Sequence, residues 1–105
     1  MPEMSGPSPL FVALAEVELH LPGARSLKEK RQDVRSLVER LRSRFSVLVV
    51  EADHQDLHQR AGLAIVALAT DEDAARGTSA RALDFVNQRF PGVVLDENIN
   101  VVKVR

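Results

Sequence analysis

The residues best suited to chemistry lie in one short stretch, Asp53-His54-Gln55-Asp56, with Gln59-Arg60 just beyond it. A histidine flanked by carboxylates is raw material for acid–base catalysis. A nucleophile would complete such a site, but no serine or cysteine adjoins the stretch, and the chain has no cysteine at all. Asp56 is therefore expected to close a turn by accepting from its own backbone amides.

A second group sits at alternate positions. Glu16, Glu18 and His20 occupy one segment, and Glu51 and Asp53 another. Alternation places each set on one face of a strand. If the two strand ends meet, four carboxylates, His20 and Arg60 gather on a common face. Oxygen and imidazole ligands suit a divalent metal. No tight ligand spacing such as H-x-x-x-H supports one here, so the expectation is a solvated patch ion-paired through Arg60, with no metal and no cofactor. Glu18, His20, Asp53, His54, Gln55, Asp56, Gln59 and Arg60 form a polar patch to which the residues assign no role.

The third group is basic. The net charge of −1 conceals eight cations and three acids between Arg25 and Arg44, a local +5 that leaves −6 for the remainder. On a helix, Lys28, Arg31, Arg35 and Arg42 fall along one flank of the apolar stripe. They span about 21 Å at 1.5 Å per residue, enough to follow several phosphates of a nucleic acid. The competing reading is a solvated flank whose long side chains cover a sheet edge, partly neutralised by Glu39.

The elements that must position these groups follow from periodicity. Leu10 to His20 alternates, with Phe11, Ala13, Ala15, Val17 and Leu19 on one wholly apolar face, as in a half-buried strand. Ser26-Leu27-Lys28-Glu29 has the capping-box form, and Leu27, Val34, Leu37, Val38, Leu41 and Phe45 continue at helical spacing, which predicts a helix over 27–44. Val47 to His54 reads as a second strand and His58 to Ala69 as a third, joined as a hairpin. Thr70 caps a second helix whose first turn carries Asp71, Glu72 and Asp73, and Ala75, Ser79, Ala82, Val86 and Phe90 line its inner face. Pro91-Gly92 ends it. Val93 to Val104 is the last strand, and its alternation slips around Asn98, where a bulge would fit.

The order β-α-β-β-α-β, with right-handed crossovers, predicts an α+β, ferredoxin-like βαββαβ sandwich. Its antiparallel sheet has strand order 4-1-3-2 and carries both helices on one face. The 105 residues divide into a disordered tail over 1–9, rich in proline, glycine and serine, and one domain over 10–105. The start is not a signal peptide and no apolar run spans a bilayer, so a cytoplasmic location without a membrane partner is expected. Val12, Leu14, Val47, Val49, Val66 and Leu68 are expected to point away from the helices, and a bare face of aliphatics calls for a dimer mate or another protein.

Three strings resemble a known family when taken together: Glu18-Leu19-His20-Leu21-Pro22-Gly23-Ala24-Arg25-Ser26-Leu27-Lys28-Glu29-Lys30-Arg31, Asp53-His54-Gln55-Asp56, and Gln59-Arg60-Ala61. The chain is similar, from about Leu10 to Arg105, to the YlxP-like family of small bacterial proteins, whose domain has no assigned function. The resemblance implies a ferredoxin-like fold. It also implies an association with translation, since such genes often adjoin those for translation initiation and ribosome-maturation factors. Members often carry an aromatic after D-H-Q-D-L, where this chain has His58, so no stacking role is implied there.

Three function classes follow. The first is a non-enzymatic accessory factor that binds RNA or a ribosomal particle through the basic flank. With four phenylalanines, no tyrosine and no tryptophan, it would not stack bases on its sheet. The second is an interaction or dimerisation module acting through the open sheet. The third is an acylphosphatase-like hydrolase, since those enzymes hold phosphate in the loop that here reads Pro22-Gly23-Ala24-Arg25-Ser26. That loop has one glycine, its proline lacks an amide, and the asparagine expected on the strand after the helix is absent from Val47 to His54.

Overall fold

A computed structural model describes residues 6–105; the first five residues of the expected tail lie outside the described residues. The elements run β1 (Phe11–His20), α1 (Leu27–Arg44), β2 (Leu48–Asp53), β3 (Arg60–Ala69), α2 (Glu72–Arg89) and β4 (Val93–Lys103). The sheet is antiparallel with order β2-β3-β1-β4. This is the expected ferredoxin-like topology, with β1 and β3 central and β2 and β4 at the edges.

Both helices cover one face. Ala15, Val17 and Leu19 of β1 and Leu63 and Ile65 of β3 pack with Val34, Leu37 and Leu41 of α1 and with Ala82, Leu83, Phe85 and Val86 of α2. Ser26 caps α1 by accepting from the Glu29 amide at 3.1 Å. Asp71, rather than Thr70, caps α2, accepting from the Ala74 amide at 2.8 Å. A carboxylate serves the helix dipole better than a hydroxyl at that position. Ser79 is buried and donates to the Ala13 carbonyl at 3.0 Å, joining α2 to β1.

The strand registers answer one open point and correct one expectation. In β4 the irregularity lies between the partners of Glu18 and Leu19, at Leu95, while Asn98 stands in regular register opposite Glu16. In β2 the facing is reversed. Val49 pairs with Ile65 and is 1% exposed, and Val47 is partly buried against the same core. Neither belongs to the open face. Leu48 and Val50 do, at 72% and 57% exposure, beside Val66 and Leu68 of β3 and Val12 and Leu14 of β1. The physical reason is that Val47 to Val50 is aliphatic on both faces, so hydrophobicity cannot choose between them. Glu51 chooses, because it must face α1 to meet a buried cation.

Candidate functional site

That cation is Lys30. It is fully buried, sharing the α1 stripe with Val34, Leu37 and Leu41. Its Nζ donates to Glu51 Oε2 at 2.8 Å and to the carbonyls of His54 at 2.8 Å, Gln55 at 3.3 Å and Arg60 at 3.3 Å. A buried ammonium persists only when paired and hydrogen-bonded. One lysine on the helix thus organises the whole β2–β3 loop. The spacing 30, 34, 37, 41 was the available signal, since it places Lys30 on the apolar stripe itself.

The loop residues answer to this clamp. His54 has φ 61°, the left-handed region that non-glycine residues seldom adopt, and in that conformation its carbonyl meets Lys30. The turn is closed by the Leu57 amide donating to the His54 carbonyl at 3.1 Å. No side-chain hydrogen bond of Asp56 is present among the described residues, so the expected Asp56 cap is replaced by a backbone bond. Gln55 Nε2 donates to the Glu51 carbonyl at 2.9 Å. Gln59 ties the loop to the β1–α1 connection, accepting at its carbonyl from the Leu21 amide at 2.9 Å and donating from Nε2 to the Ala24 carbonyl at 3.4 Å.

On the open face, Glu18 is the centre. It forms an ion pair with the Arg60 guanidinium and lies 3.4 Å from His54 Nε2, within hydrogen-bond reach. Asp53 reaches the same face because a bulge at Ala52 shifts it one place, so that it pairs with Gly62 while Glu51 pairs with Leu63. The expected sharing of one face by Glu51 and Asp53 is therefore broken. Gly62 leaves a depression of about 140 Å³ lined by Glu16, Glu18, Asp53, Asp96 and Asn98. A Cβ at Gly62 would stand 2.8 Å from that of Asp53. His20 lies one position beyond, opposite Arg60. Among the described residues no group of three His, Asp or Glu side chains is arranged to hold a metal ion.

The loop before α1 is capped from within the chain. The Glu29 carboxylate accepts from the Arg25 amide at 2.8 Å, so that amide is already engaged by the chain itself. The basic flank divides. Lys28, Arg31, Arg35 and Arg42 are all exposed, but Arg42 Nη2 donates to the Val49 carbonyl at 2.7 Å. Its guanidinium therefore covers the β2 edge. Among the described residues Lys28, Arg31 and Arg35 have no carboxylate partner.

These features define a ferredoxin-like α+β domain with a lysine-clamped hairpin, an acidic open sheet and a basic helix flank. The chain belongs to the family described as "Protein of unknown function (DUF503)", whose model matches residues 12–99. It is 30% identical over 83 residues to "Uncharacterized protein YlxP" of Bacillus subtilis (strain 168), covering 79% of this chain and 89% of that one. Among solved structures, the de novo designed protein Foldit4 is similar with a TM-score of 0.50 at 12% identity, over 91% of this chain and 99% of that one. The de novo designed protein Ferredog-Diesel aligns with a TM-score of 0.48 at 8% identity, over 95% and 92% of the two chains. Among the described residues no helix is long and apolar enough to cross a membrane.

Proposed function

We propose that this chain is a non-enzymatic accessory factor that engages the phosphate backbone of RNA, alone or in a ribosomal particle, through the α1 flank. The observation that carries the reading is the set Lys28, Arg31 and Arg35: exposed, aligned, and without carboxylate partners among the described residues. Electrostatic sorting supports it. Glu16, Asp53 and Asp96 around the sheet depression disfavour phosphate on the open face, so the helix layer is left to receive it. The association with translation implied by the family resemblance points the same way. The self-capped Arg25–Glu29 turn argues against an acyl-phosphate hydrolase.

The test is a salt titration of RNA binding by the wild type and by the Arg31→Gln/Arg35→Gln variant. Binding that is weakened in the variant, with a shallower salt dependence, supports the reading; equal binding by both removes it. A second reading is a protein partner over the apolar half of the open face, favoured by Leu48, Val50, Leu68 and Val102 at 56–72% exposure. Loss of that partner on Leu68→Lys, with RNA binding unchanged, would single it out.

A further inference from the structure

The two edges of the sheet are treated differently. β1 is the key to their geometry. Leu21, in line with the odd residues of β1, donates its amide toward the β3 side, to Gln59, whereas the Leu10 carbonyl accepts from the Val104 amide on the β4 side. Even residues of β1 therefore turn their backbone groups to β4, and their partners Asp96, Asn98, Asn100 and Val102 turn inward to meet them. The odd residues Glu97, Ile99, Val101 and Lys103 present their backbone groups outward.

The same parity turns Val49 and Glu51 outward on β2, and there both carbonyls are occupied, by Arg42 at 2.7 Å and Gln55 at 2.9 Å. Side chains thus blunt the short β2 edge. On β4, the Glu97 amide is held by Asp96 Oδ1 at 3.0 Å, but Ile99, Val101 and Lys103 have no outward backbone partner among the described residues. β4 is also the longer strand, 11 residues against 6. A bare edge of this kind is a template for another strand.

We propose that the β4 edge pairs with β4 of a second copy of this chain, antiparallel about a two-fold axis at Asn100. Charge selects this partner and this register. Centred on Asn100, the pairing sets Glu97 of each copy directly across from the partner's Lys103 and sets Ile99 across from the partner's Val101. All four residues lie on the helix side of the sheet, where opposite charges and β-branched pairs both favour the contact. Asn87 on α2 already holds Glu97 Oε2 at 2.7 Å and keeps that carboxylate at the edge. Centring the axis one residue earlier, at Ile99, would set Glu97 against the partner's Val101 and lose the charge pair. Arg105 lies beyond the strand end and its Nε is bound to the Ser8 carbonyl, so it does not compete with Lys103. The result is a continuous eight-stranded sheet with both helix layers on one side and the two α1 flanks at its far ends. The dimer is independent of the RNA-binding reading.

The experiment uses the full chain. Sedimentation equilibrium over a concentration series should show a monomer–dimer equilibrium. Glu97→Lys and Lys103→Glu should each weaken it, by about tenfold or more since two pairs are lost per dimer, and the double variant should recover most of the wild-type affinity. The register has its own readout. Asn100 faces its own counterpart at a non-hydrogen-bonded position, where the Cα separation of about 4.5 Å falls within disulfide range. The chain has no native cysteine, so Asn100→Cys should cross-link to itself under mild oxidation while Asn98→Cys, opposite the partner's Val102, should not. Circular dichroism confirms that each variant is folded, and the cross-link stands even if a charge variant fails to fold. A wild type that stays monomeric at high micromolar concentration overturns the proposal. So does a dimer that ignores both charge variants and does not cross-link at position 100.

Discussion

Lys30 on α1 and Glu51 on β2 meet at 2.8 Å across the helix–sheet boundary, with the lysine fully buried and the carboxylate 21% exposed. This pair decides which face of β2 is the core face, and the remaining donor capacity of Lys30 shapes the loop from His54 to Arg60. The residues that look most like a catalytic motif are thus held by a structural cation.

Replacing Lys30 with methionine keeps the apolar stem but strands Glu51 and three carbonyls. Breaking a buried pair in this way costs about 3–5 kcal/mol, and the partial exposure of Glu51 puts the expected value toward the lower end. Urea unfolding measures it. Amide exchange should accelerate first over 54–60, because that loop loses its anchor. A loss below ~1 kcal/mol would show that the clamp is not structural.

Val49 and Leu68 should respond very unequally to lysine. Val49 is 1% exposed and Leu68 62% exposed. Val49→Lys buries an unpaired ammonium and should destabilise by about 4 kcal/mol or more. Leu68→Lys should stay within about 0.5 kcal/mol. Equal, mild effects on thermal melting would mean that β2 is registered the other way.

The RNA reading carries a number. With Arg42 engaged at Val49, three cations remain for phosphates. On single-stranded RNA the slope of log affinity against log salt should be about −2, at roughly −0.7 per contact. Arg31→Gln/Arg35→Gln should flatten it by about 1.4 and weaken all RNA sequences alike. Arg42→Gln should leave the slope nearly unchanged. A slope as steep as −3 that Arg42→Gln reduces would return Arg42 to the contact set.

Gly92 is required for space. A Cβ there would stand 2.2 Å from the His20 carbonyl oxygen and 2.5 Å from the Phe90 ring. The carbonyl belongs to β1 and cannot move freely. Gly92→Ala should therefore cost about 1–3 kcal/mol as an overpacked contact. Gly23→Ala, with nothing within 4 Å, serves as the control and should be close to neutral.

The sequence by itself determined the order of elements, the bounds of α1, both crossovers and hence the strand order, because strict alternation in β1, a capped 3.6-residue period and short connections each admit few arrangements. It also placed Lys28, Arg31 and Arg35 on one flank, since helical geometry alone does that. It did not determine the facing of β2, because Val47, Leu48, Val49 and Val50 satisfy either register equally. Nor did it part Asp53 from Glu51, or Arg42 from its basic neighbours. Those outcomes were decided by tertiary structure: by a bulge at Ala52, by an edge carbonyl within reach of a guanidinium, and above all by Lys30. A buried ammonium needs its carboxylate and carbonyl partners close at hand whatever the local pattern prefers, and only the packing of α1 against β2 brings those partners, 21 to 30 residues away in sequence, to one point.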